Sequence, residues 1–159
     1  MPGLQPPAPG VRSLSDISPV PDLPATDPAA YRFFEPERVR FDDLDPVGHA
    51  NNNAIGVYME SGRVAFHRHI GLNRHAHGRV FVLARTAIDF RAEVHFPAEL
   101  RVGVRLLRIG RTSWTLGTAL FDGQICAATG EAVIVLIDKE TRKPVALPDA
   151  MRLTLETLS

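Results

Sequence analysis

Apolar positions along the chain change period at residue 71. Before it, Ile55, Met59, Gly62, Phe66 and Ile70 fall four, three, four and four residues apart, with Ala54, Tyr58 and Ala65 widening the stripe. That is one face of an α-helix. Glu60, Arg63, His67 and Arg68 form its expected polar side. Any of Asn51, Asn52 or Asn53 suits the N-cap, and Gly71 suits the stop. The predicted helix is roughly 27 Å long at ~1.5 Å per residue.

After the helix the period is two. Within residues 80–94, Ile88, Phe90, Ala92 and Val94 alternate with Asp89, Arg91 and Glu93. Leu100, Val102, Val104 and Leu106 alternate with Arg101, Gly103 and Arg105, and Trp114, Leu116, Thr118 and Leu120 follow. Asp122-Gly123 between two apolar runs is a hairpin signal. Residues 124–139 are apolar on both faces, as in a central strand or one beneath a partner. Ahead of the helix, residues 38–42 read as a short strand with Val39 and Phe41 on one face. After Pro148 a short helix is expected, with Met151, Leu155 and Leu158 along one side.

The order is thus one strand, one long helix and four long antiparallel strands, an α+β arrangement. Consecutive hairpins cannot cover their own apolar face, so the helix must lie across it. Gly62 in the buried stripe, flanked by Ala54 and Ala65, allows the sheet to come close.

Composition adds a boundary. Residues 1–36 hold nine of the thirteen prolines, and proline removes donors and fixes φ. They read as a flexible or extended arm, with Tyr31, Phe33 and Phe34 as candidate anchors; residues 37–159 read as the folded domain. Eighteen basic and eighteen acidic residues balance, so no basic excess marks a nucleic-acid partner. Cys126 is the one cysteine, which excludes an intrachain disulfide. No run approaches the ~18 apolar residues of a membrane span, and the first twenty residues lack the charged and apolar regions of a secretory signal. A cytoplasmic protein is expected.

The chemistry concentrates in residues 40–63. Three aspartates, one histidine and three asparagines stand between Asp42 and Asn53. This segment feeds a helix N-terminus, where unpaired N–H groups and the dipole favour negative charge. The arrangement suits acyl transfer. Amides of Asn52 or Asn53 could receive the charge that builds on a thioester oxygen, while a nearby carboxylate attacks the carbonyl or activates water. No serine or cysteine stands in residues 40–60, so a Ser-His-Asp or Cys-His design has no support there.

Asp45-Pro46-Val47-Gly48-His49-Ala50-Asn51-Asn52 resembles the D-x-x-x-H-x-N-N signature of hotdog-fold thioesterases. These belong to the 4-hydroxybenzoyl-CoA thioesterase superfamily, and the match is to its long-chain acyl-CoA and acyl-ACP branch. The order of elements from about residue 36 to 140 matches as well. The resemblance implies a hotdog fold, an antiparallel sheet wrapped around one long central helix. It implies hydrolysis of an acyl-CoA, or an acyl-ACP, without a cofactor. Asp45 matches the catalytic carboxylate, and Asn52 the helix-start amide that polarises the carbonyl. His49 and Asn51 match positions that orient the loop or the substrate. Val47 stands where plant-type acyl-ACP enzymes have asparagine, so their detailed mechanism does not transfer. Asn52 replaces the aromatic residue or histidine of other branches, which leaves acyl preference open. The family also implies a homodimer or homotetramer, with the site at a subunit interface and CoA reaching across it.

Further candidates are secondary. Arg108, Arg111 and Ser113 lie in a basic hairpin connection; in the family the corresponding turn approaches CoA, though a plain charged turn has the same composition. Tyr58 is a candidate pocket wall. Taken without the motif, Asp45 would read as a residue that ends the strand or caps the loop through an Asx-turn; the surrounding pattern favours the catalytic reading. His67, His69, His75 and His77 lack the spacing of a zinc motif, since i, i+2 residues do not share a helix face; no metal is expected. Two other functions fit the fold: a non-catalytic acyl-CoA or acyl-ACP binding protein, and a hydratase or dehydratase pairing Asp45 with His49.

Overall fold

The computed structural model describes residues 25–72, 75–76 and 78–158. Six antiparallel strands form one sheet: β1 (Phe33–Arg38), β2 (His75–Ala76), β3 (Arg79–Phe90), β4 (Glu99–Ile109), β5 (Ser113–Asp122) and β6 (Ile125–Asp138), in the order β1-β4-β5-β6-β3-β2. Helix α1 (Asn52–His69) lies across the inner face, and α2 (Asp149–Glu156) closes the core with Leu155 fully buried. This is the expected α+β hotdog arrangement.

The helix sits inside the sheet because its stripe is apolar and, at one point, has no side chain. Ala54, Ile55, Tyr58, Met59, Gly62 and Phe66 are all buried. A Cβ on Gly62 would collide with the side chain of Val102 on β4. The glycine therefore sets how closely α1 and β4 approach.

Four expectations are corrected. The first strand spans residues 33–38, not 38–42. Pro36 is tolerated because β1 is an edge strand, with one side free of ladder bonds. Residues 41–43 instead form a 3-10 turn, closed by Arg40 N–H donating to the Asp43 carboxylate (2.8 Å). That turn points Phe41 outward at 72% exposure, while Val39 is buried. Secondly, the boundary at residue 36 falls within β1. Phe33 packs inward on Phe66, whereas Tyr31 and Phe34 pack on Phe121 on the other face of the sheet. Residues 1–24 of the proline-rich segment lie outside the described residues.

Thirdly, β3 stops at Phe90, because Arg91 and Ala92 N–H both donate to the Ala127 carbonyl (2.8 and 3.1 Å) and break the ladder. Fourthly, Arg63 and His67 are buried, at 8% and 6% exposure. The sheet curves around more of the helix than a flat layer would. His67 is accommodated as a neutral acceptor: Trp114 Nε1–H donates to its Nε2 at 3.1 Å.

Candidate active site

The loop between the 3-10 turn and α1 is organised by Asp45. Its backbone N–H donates to the His49 carbonyl (2.8 Å), and its carbonyl accepts from Gly48 N–H (3.0 Å). Its Oδ1 accepts from the amides of Val47 (2.9 Å) and His49 (3.0 Å). Gly48 turns the chain at φ +88°, a left-handed value that glycine adopts at no steric cost. Ala50 N–H then donates to the Val94 carbonyl (2.8 Å), and His49 pairs with His95 in an isolated bridge, so the loop is laced to the segment after β3.

These bonds favour the charged form of Asp45. The His49 amide, and after it the Val47 amide, hold the carboxyl below its ordinary value, against an opposing desolvation effect. Asp45 is anionic at neutral pH. Oδ1 carries the Val47 and His49 amide bonds and so holds the loop, and the Gly48 amide also lowers the carboxyl.

Asn51 is the N-cap; its Oδ1 accepts from Ala54 N–H at 2.9 Å. The amides of Asn52 and Asn53, the first two of the helix, have no carbonyl a turn earlier to pair with. A cavity of about 280 Å³ is lined by Asp45, His49, Asn52, Ile55, Phe90 and Glu93, among others. Three of the expected residues, Asp45, His49 and Asn52, therefore share one pocket.

The others go elsewhere. Asn51 is occupied in capping. Tyr58 is fully buried, and its hydroxyl donates to Asp43 in a short bond; burial first, and that bond second, raise its pKa. It braces the loop from below rather than lining the pocket. Arg108, Arg111 and Ser113 do gather at the β4–β5 turn. That turn lies beside Trp114, which bonds His67. His67 is fifteen residues along α1 from Asn52, about 22 Å at ~1.5 Å per residue. Within one chain the basic turn and Asp45 are at opposite ends of the molecule.

Glu93 and His95 were not among the sequence candidates. The alternation around residue 90 marks Glu93 only as a polar strand position, and nothing local connects either residue to His49, more than forty positions away. A second, larger groove of about 540 Å³ runs between α1 and β3, lined by Arg63, Val64, His67, Phe81, Leu83 and Ile134 among others. His69 meets Phe33 in a tilted ring contact, with centroids 5.1 Å apart; His77 and the side chain of His75 lie outside the described residues.

Residues 39–155 match the family model of the thioesterase-like superfamily, and the chain belongs to that family. It is 31% identical over 129 residues to the uncharacterized protein YsmA of Bacillus subtilis (strain 168), covering 79% of this chain and 86% of the relative. A thioesterase from Thermus thermophilus, solved in complex with coenzyme A and Zn, shares 32% identity at a TM-score of 0.72, over 80% of this chain and 95% of that one. The PA5185 protein of Pseudomonas aeruginosa PAO1 gives 30% identity and a TM-score of 0.72 over 81% and 92%. Thioesterase-type chemistry is thus the class to which fold, family and neighbours point.

Proposed function

We propose that the protein is an acyl-CoA thioesterase in which Asp45 is the catalytic carboxylate and the Asn52 amide receives the thioester oxygen. One observation carries this reading: the Asp45 carboxylate shares a pocket with Asn52, the first residue of α1, whose amide has no intrahelical partner. The amides favour the charge that develops on the carbonyl oxygen. The thiolate departs without a strong general acid. The carboxylate attacks the carbonyl or activates a water, and both routes need it in the same place. A single turnover in oxygen-18 water tests for attack by Asp45: the carboxylate expels the thiolate to form a mixed anhydride, and water that cleaves it at the Asp45 carbonyl leaves label in the protein and unlabelled oxygen in the acid, whereas direct attack of water on the thioester never labels the protein.

Coenzyme A as the carrier is supported by the Thermus thermophilus relative that binds it. A cytoplasmic setting fits a chain whose one cysteine excludes an intrachain disulfide. A homodimer fits the open edge of β3 and the apolar side chains exposed beside it.

The test is release of free thiol over a panel of acyl-CoAs. Asp45→Asn keeps the Oδ1 acceptor that holds the loop and removes the charge; its rate should fall by roughly 10²-fold or more with the melting temperature little changed. Asp45→Ala should lose both rate and some stability. Full activity in Asp45→Asn would sink the assignment. Tight acyl-CoA binding with no thiol released by the wild type would instead make this a binding protein. A hydratase reading has less support: Asp45 bonds the backbone of His49, and the imidazole turns toward Glu93.

A further inference from the structure

The imidazoles of His49 and His95 meet edge to face, with centroids 4.8 Å apart. The Glu93 carboxylate lies between them: its Oε2 is 3.5 Å from His49 Nε2 and 3.7 Å from His95 Nε2. Those distances are longer than a good N–H···O bond. They come close to the edge of a coordination tetrahedron, which for metal–ligand bonds of about 2.0–2.1 Å measures roughly 3.3 Å. One donor atom from each of the three residues lies within 4.8 Å of the others.

We propose that His49, Glu93 and His95 form a binding site for a divalent metal ion of the zinc class. The donor set, two imidazoles and one carboxylate, suits zinc, cobalt or nickel and not magnesium or calcium, which take oxygen donors. Three protein ligands leave a fourth position open for water or an anion, the pattern of zinc sites that are not purely structural.

The frame is held by backbone. The His49–His95 bridge and the bond from Ala50 N–H to the Val94 carbonyl fix the loop against the segment that carries Glu93 and His95. Glu93 and His95, at 67% and 63% side-chain exposure, have room to rotate toward a shared ion. The cluster also borders the cavity that holds Asp45, since His49 and Glu93 line it. Metal binding here needs no catalytic competence of Asp45, so it stands or falls apart from the thioesterase reading.

The experiment is zinc titration of the full chain, stripped with a chelator, by competition against a chromogenic chelator and by calorimetry. The expected result is one zinc per chain. Affinity should fall at least tenfold in Glu93→Gln and in His95→Ala, and stay within twofold in a His75→Ala/His77→Ala double variant. Cobalt should give the intense visible bands of a four-coordinate site in wild type and lose them in His95→Ala. Because Glu93 and His95 are exposed, the metal-free melting temperatures of their variants should equal that of wild type, which separates lost ligation from lost folding. Three results would overturn the proposal: no stoichiometric zinc, zinc affinity unchanged in both Glu93→Gln and His95→Ala, or zinc lost instead in the His75/His77 variant.

Discussion

His67 shows most clearly how one buried side chain makes stability depend on pH. Burial first, and the neighbouring Arg63 second, depress its pKa from the ordinary value of 6.5 to about 4. The imidazole is neutral and accepts the Trp114 indole N–H. The sign follows from which state takes the proton. Between pH 6.5 and 4 the unfolded chain protonates this residue and the native chain does not. Its contribution is therefore complete above about 6.5 and is lost as pH falls toward 4, amounting to roughly 3 kcal/mol at ~1.4 kcal/mol per pH unit. Urea unfolding at about pH 7.5, 6, 5 and 4.5 should show the decline, and His67→Gln, which keeps an acceptor for the indole, should flatten it. The depressed carboxyls of Asp45 and Asp138 contribute separately, since their stability is lost only as pH falls below the ordinary carboxylate value. An unchanged slope in His67→Gln would contradict this account. At this scale the loop-capping bonds of Asp45 were legible, because its partners Val47, Gly48 and His49 are its immediate neighbours. The sequence pattern failed at Arg63 and His67, whose burial depends on how far a sheet distant in sequence curves around them.

Within α1, two glycines in similar sequence settings should respond to substitution in opposite ways. Alanine is favoured over glycine in a helix interior by about 1 kcal/mol. At Gly56 the nearest atom to an added Cβ is Ile88 Cδ1 at 3.9 Å, an ordinary contact, so Gly56→Ala should stabilise by up to that amount. At Gly62 the added carbon would meet the β-branched Val102, with Val102 Cβ at 2.8 Å, and a branched carbon so near its backbone cannot swing aside. Overpacking costs about 1–3 kcal/mol, so Gly62→Ala should be destabilising on balance. Chemical denaturation of the two variants checks both signs. The helix itself, the hairpin at residues 122–123 and the α2 stripe were legible because each rests on local period and turn chemistry. The first strand was displaced toward residue 38 because proline argues against a strand in sequence. Only the sheet order reveals that Pro36 stands on an edge.

For the whole molecule, the open question is what covers β3. Its partner on one side is β6; on the other, β2 pairs only with Arg79 and Val80, so among the described residues that edge is unpaired from residue 82 to 90. An exposed strand edge invites pairing, and exposed apolar side chains gather beside it: Leu83 and Phe90 on β3, Val57 and Val64 on α1. Val64 and Leu83 also line the 540 Å³ groove, so a second copy laid on this face would close that groove. The proposed homodimer joins two β3 edges antiparallel about a two-fold axis. Such an axis reverses the direction of α1 and brings the β4–β5 turn of one copy to the same end as Asp45 of the other. The two groups of candidate residues, which lie toward opposite ends of α1 within a chain, would then serve one substrate, the acyl end at Asp45 and the phosphates of CoA near Arg108 and Arg111. Light scattering should report a dimer for wild type. Leu83→Asp should shift it to monomer and lower thiol release at least tenfold, while Arg111→Ala should remain dimeric and raise KM for acyl-CoA with kcat little changed. A monomeric Leu83→Asp with full activity would show that one chain carries the complete site and that the basic turn has no part in it.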